Sequence, residues 1–210
     1  MARRRFERAK VWVSTAGLLA FVSHAHAQTP AETEKAIENQ PGAQITRNVR
    51  PDGTETKNIQ LPSGVSFLVS HAKDGSVGVT GIDNSGHGAV MCVWSVYVQL
   101  SVALDICDST PDPVAKAALS DAIGQMDEFI IKNSLTPVSQ AELDARKASE
   151  RSKGLTAISG LSKEDASRRC ASGNISRMLA AIGTTTAGKL KAEIANLLAV
   201  PRPPVMNPCL

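Results

Sequence analysis

Aromatic side chains are scarce in this 210-residue chain, which has one tyrosine, two tryptophans and four phenylalanines. Stacking platforms for bases or sugars need more of them. Histidine is as thin, at four residues. The chain has no Gly-x-Ser-x-Gly, no phosphate-binding Gly-Lys-Ser/Thr loop, no dinucleotide fingerprint and no His-Glu-x-x-His. These absences argue against a cofactor-dependent enzyme of a common class, and no cofactor is expected. There is no Cys-x-x-Cys and no close Cys and His pair in zinc order, so no metal site is expected from the cysteines.

A long apolar run is also missing. The N-terminal apolar stretch, Val11 to Val22, is far short of the roughly 20 residues that cross a bilayer. It lies instead between a basic segment with Arg3, Arg4, Arg5, Arg8 and Lys10 and the small-residue pattern Ala25-His26-Ala27. That order of zones is a cleavable export signal, cut before Gln28. No cysteine stands near the cut, so neither a transmembrane nor a lipid anchor is expected. Arg3-Arg4-Arg5-Phe6 resembles a twin-arginine core, but Glu7 stands where that signal usually has an apolar residue. The general secretory route is favoured.

Removing residues 1–27 takes five of the 23 basic residues and one of the 20 acidic ones. The remaining 18 and 19 leave a nearly neutral chain where the whole sequence carries +3. A nucleic-acid binder needs a basic footprint to neutralise phosphates, so no nucleic-acid partner is expected. His24, His26 and Trp12 leave with the signal, so that His71, His87 and Trp94 remain. All four cysteines, Cys92, Cys107, Cys170 and Cys209, lie in the mature part. An even count in an exported chain favours two disulfides.

Residues 28–57 are polar and broken by Pro41-Gly42 and Pro51-Asp52-Gly53, which reads as a flexible N-terminal arm with a short helix near Glu32 to Asn39. From Asn58 to about Trp94 the pattern turns to short β-rich runs. Val65, Phe67 and Val69 alternate with Ser66, Leu68 and Ser70, and Lys73-Asp74-Gly75 gives a hairpin signal. The segment Asp83 to Gly88 reads as a second turn, leading into Ala89 to Trp94. A three- or four-stranded antiparallel meander follows from this. After Trp94 the apolar residues recur at three and four, which favours a helix to Cys107 despite its valines.

The remainder reads as helical. Asp112 caps a helix opened by Pro113, with Leu119, Ile123, Met126 and Ile130 as its stripe. Ser139 and Glu142 form a capping box, and Val138 with Leu143 has staple spacing. Another helix opens at Ser162, with Asp165 in its first turn, and breaks at Gly173-Asn174 before resuming from Ile175 to Ile182. The last, Ala187 to Val200, presents Leu190, Ile194, Leu197 and Leu198 before the prolines at 201, 203 and 204 stop it. Strands followed by helices imply an α+β fold, residues 58–210 forming a single domain with an extended C-terminal tail and helices packed on one sheet face.

If Val93 to Cys107 is a helix, Cys92 and Cys107 stand roughly 20 Å apart, beyond the reach of one bridge. Cys107 with Cys170 and Cys92 with Cys209 is then preferred to Cys92 with Cys170 and Cys107 with Cys209.

One cluster offers polar groups that could converge on a ligand, the glycine-rich segment with Asp83, Asn84, Ser85 and His87. Asp83, Asn84 and His87 are the candidate ligand-binding residues, although Asp, Asn, Ser and Gly also serve turn geometry. Asp105 and Asp108 have the spacing of paired carboxylates, but helix-end acids share it. Lys147, Arg151, Lys153, Arg168, Arg169 and Arg177 are interleaved with acids and read as a solvated face. Asn174-Ile175-Ser176 matches a glycosylation acceptor, which signifies nothing without a glycosylating host.

With few catalytic candidates, the favoured function is a non-catalytic exported protein of the bacterial cell envelope or exterior. It would act through a binding surface, presented by the helical layer or the glycine-rich loop, on an envelope or extracellular protein. One alternative is a small periplasmic hydrolase or metal-dependent enzyme using His71, Asp83 and His87. Another is a secreted inhibitor or effector.

Overall fold

The computed structural model describes residues 29–107, 113–172, 176, 177, 180 and 185–209. Residues 1–27, Asp108, the Asp112 cap and the Gly173-Asn174 break lie outside them. Helix α1 (Pro30–Glu38) opens with a complete capping box between Thr29 and Glu32 and has proline in its first turn. Four strands follow: β1 (Gln44–Val49), β2 (Glu55–Gln60), β3 (Val65–His71) and β4 (Val77–Asp83), antiparallel and in the order β1-β2-β3-β4. The expected meander therefore exists, but it begins at residue 44 rather than 58.

The stretch expected as a flexible arm accordingly supplies α1, β1 and the start of β2. Its Ile37 is fully buried, and β1 pairs along its whole length with β2, Gln44 facing Gln60 and Val49 facing Glu55. The strand escaped detection because all six of its residues are exposed. Its order comes from backbone pairing, so it lacks the alternation of a half-buried strand.

The three hairpins share one construction. In each, the residue before the turn bonds to the residue four on, and a glycine three on donates back: Gly53 to Arg50, Gly64 to Leu61 and Gly75 to Ala72. Each glycine has φ between 81° and 84°, a conformation that a side chain disfavours.

Beyond β4 the chain does not form another hairpin. It passes through Asn84 to Gly88 and enters α2 (Val90–Ile106), so Ala89 to Trp94 is the start of a helix and not a strand. Alternation and helical spacing are indistinguishable in a run apolar on all sides. Here Val90, Trp94, Val98, Leu100 and Leu104 are buried by neighbouring helices, and Cys92 is buried beside the tail. These are α3 (Pro113–Asn133), α4 (Gln140–Ile158) and α6 (Ala187–Leu197), while α5 (Lys163–Cys170) buries no residue. The expected stripe of α3 is buried, as are Leu143 of α4 and Leu190, Ile194 and Leu197 of α6. The capping box of Ser139 and the Ser162 cap are both formed.

The α+β architecture has two apolar clusters. The helices make one. The other lies on one sheet face, where Ile59, Val65, Phe67 and Val69 are met by Ile37 of α1, Val205 of the tail and Leu135 beyond α3. Gly81 makes room for that tail, since a β-carbon there would fall 2.4 Å from Val205 Cγ1. Asn207 then accepts from the Asp83 N–H at 2.7 Å. The tail thus joins the two clusters.

Candidate functional site

The residues of the hydrolase or metal reading are not brought together. His71 faces Val77 and Asp83 faces Val65 in the β3–β4 register, placing them at opposite ends of the hairpin, roughly 20 Å apart at 3.3 Å per residue. His87 turns to α6, its Nδ1 3.0 Å from the Asn196 carbonyl. Among the described residues no group of three or more His, Cys, Asp or Glu side chains is placed to hold a metal ion.

His71 belongs to a different cluster. Its Nε2 lies 3.0 Å from Glu34 Oε2, and Lys57 donates to Glu34 at 2.5 Å and to Glu38 at 3.0 Å. Burial pushes the Glu34 carboxyl up, but hydrogen bonds from Lys57 and His71 outweigh it and hold it below the ordinary glutamate value. This cluster fastens α1 across β2 and β3.

Polar groups of the glycine-rich loop hydrogen-bond within the protein, although Asn84 remains exposed. Asn84 donates to Ser66 Oγ at 2.9 Å. Asp83 accepts from Ser85 N at 2.9 Å and from Arg202 Nε at 2.6 Å. The Arg202 side chain is fully buried. Its other nitrogens donate to the carbonyls of Val200, Gly88 and Leu197 at 2.6 to 2.9 Å, and its guanidinium stands 5.7 Å from the Phe129 ring centre. Burial pushes Asp83 up, yet bonds from Ser85 and Arg202 hold its carboxyl below the usual aspartate value. This arrangement locks the tail against β4, α2 and α6.

A second buried carboxylate organises the helices. Asp127 accepts from Trp94 Nε1 at 2.7 Å, Gln140 Nε2 at 3.0 Å and Lys147 Nζ at 2.7 Å. Lys147, expected on a solvated face, is therefore drawn inward. Asp105 is paired with Lys116 and Arg151 rather than with another acid. Its bond from Lys116 leads in holding its carboxyl below the usual value. Neither carboxylate is left free for acid–base work.

The cysteines stand in the preferred pairing, Cys92 with Cys209 and Cys107 with Cys170, with α-carbons 5.2 and 5.6 Å apart. Both values are ordinary for disulfides. No helix among the described residues is long and apolar enough to cross a membrane.

Among the described residues, no strand pairs with the outer edge of β1. Arg50 N bonds to the Thr54 carbonyl, so by antiparallel alternation Asn48, Thr46 and Gln44 turn their backbone groups toward β2. Ile45, Arg47 and Val49 therefore turn their N–H and C=O groups outward. Their side chains share the sheet face of Ile59 and its neighbours, yet Ile45 is 41% and Val49 67% exposed. The opposite edge of the sheet is partly closed, because Asn207 bridges to Ile82 of β4.

Sequence reasoning missed Glu34, Asp127, Arg202 and this edge. Asp127 gave a signal, a carboxylate next to Met126 and two before Phe129 in the buried stripe of α3. Arg202 gave none, because its partners lie at residues 83, 88, 197 and 200.

The chain matches no protein-family model, and neither curated proteins nor solved structures show a significant similarity to it. Its function is therefore argued from the site alone.

Proposed function

We propose that the chain is an exported, non-catalytic binding protein of the bacterial cell envelope or exterior, and that it takes an extended segment of a partner protein by strand addition along β1. The observation that supports this reading is the uncovered edge itself. Three successive outward residues offer paired donors and acceptors, with two exposed aliphatic side chains beside them. Strand addition obtains affinity from main-chain bonds and specificity from alternate side chains. Edges left without a partner are ordinarily shortened, charged or covered; β1 is uncovered and carries one charge, Arg47, between its two aliphatic residues. The binding surface thus moves from the helical layer or glycine-rich loop to the sheet.

Site-specific photo-crosslinking in producing cells tests it. A crosslinker at Ile45 is expected to give a discrete adduct, whereas one at Ser76, in the β3–β4 turn, gives none. Arg47→Pro removes an outward N–H without touching the bonds to β2, and should abolish the Ile45 adduct while leaving the melting temperature nearly unchanged. An Ile45 adduct that survives Arg47→Pro, or adducts equal at both positions, would contradict strand addition.

A further inference from the structure

The side chain at the middle of the open edge specifies the partner. Arg47 lies between Ile45 and Val49 on one face and is exposed. Among the described residues it has no hydrogen bond or ion pair. Its cross-strand neighbour is another cation, Lys57. Of the nearby acids, Glu34 and Glu38 both hold Lys57, while Glu55 stands opposite Val49 on the same face and makes no ion pair with Arg47. At the outer edge Arg47 is therefore a cation without an ion pair, flanked by two apolar side chains, and Glu55 lies behind it on the inner strand.

We infer that the added strand carries an acidic residue between two apolar residues at alternate positions, so that the acid faces Arg47 and the apolar pair faces Ile45 and Val49. This rests on the strand-addition reading above and names the chemistry of its partner. Directly opposed residues on one sheet face interact, favourably for opposite charges and unfavourably for like ones. A second copy of the chain is disfavoured by the same rule. Two-fold pairing of β1 with itself, in the register that uses all three outward residues, sets Arg47 against Arg47. Charge selects a foreign acidic segment over self-association.

The probes are end-blocked heptapeptides, Thr-Val-Thr-Glu-Thr-Val-Thr and the same peptide with Gln or Lys in place of Glu. Binding is read from amide shifts in nuclear magnetic resonance spectra of the purified, oxidised protein. The Glu peptide is expected to shift the amides of Ile45, Arg47 and Val49 and to bind roughly tenfold more tightly than the Lys peptide. Arg47→Glu should invert that order, and Arg47→Gln should level it. Equal binding of all three peptides at β1 would overturn the acidic preference while leaving strand addition standing. Shifts elsewhere, or none with any peptide, would overturn both.

Discussion

Replacing Arg202 with methionine is expected to cost about 3–5 kcal/mol, because it leaves the Asp83 carboxylate buried without its cation. For a chain of this length that is a fall in melting temperature on the order of 10 °C. Asp83 would retain the Ser85 donors, but the carbonyls of Gly88 and Leu197 would lose theirs. Lysine should not rescue the site, since a single ammonium cannot replace a planar fork that donates in four directions. Asp83→Asn should cost less than Arg202→Met, and the double variant less than the two single losses together. The effect also depends on pH. The folded Asp83 value lies below the ordinary one, so its contribution is complete above the unfolded value near 3.9 and is lost as the pH falls through the lower folded value. The gap between the wild type and Arg202→Met should therefore narrow as the pH falls below about 4, without closing, because the bonds from Arg202 to the carbonyls do not titrate. An unchanged melting temperature at neutral pH would show that the tail is not held in this way.

Opening the two cysteine pairs is expected to produce different effects, despite similar geometry. Cys92–Cys209 spans 117 residues of chain and ties the first turn of α2 to the end of the tail. Its removal by Cys92→Ala with Cys209→Ala should lower stability by about 2–4 kcal/mol, since the unfolded chain regains the freedom of a long loop. Cys107–Cys170 spans 63 residues and attaches α5, which buries no side chain of its own. Its removal should free α5 locally. Hydrogen exchange is expected to lose protection over residues 163–170 first, while α2 and α3 stay protected. The comparison needs thermal unfolding and hydrogen exchange on both double variants. A global loss from opening Cys107–Cys170, or none from opening Cys92–Cys209, would contradict these assignments.

The parts of the fold legible in the sequence are those fixed by neighbours a few residues apart. The Lys73-Asp74-Gly75 turn, the Ser139–Glu142 box and the stripe from Leu119 to Ile130 are of this kind. The cysteine pairing was legible only in part, because helix rise kept Cys92 from Cys107 but left two pairings open. Long-range partners were not. Arg202, set between prolines, reads as a tail residue until Asp83 is folded onto it. Strand β1 has two exposed aliphatic residues around a cation, and only its register with β2 makes it a strand. For the same reason the proposed site lies at residues that sequence reasoning had placed in an arm, while Asp83, Asn84 and His87 each make a hydrogen bond to another part of the protein.

Export comes first among the functional claims, because the bridges, the near-neutral surface and a partner outside the cytoplasm all depend on it. Intact mass spectrometry of the protein recovered from producing cells tests it directly. The expected species begins at Gln28, resists alkylation, and gains the mass of four hydrogens on reduction before taking up four alkyl groups. A species that keeps residues 1–27, or that alkylates at four cysteines without reduction, would contradict it.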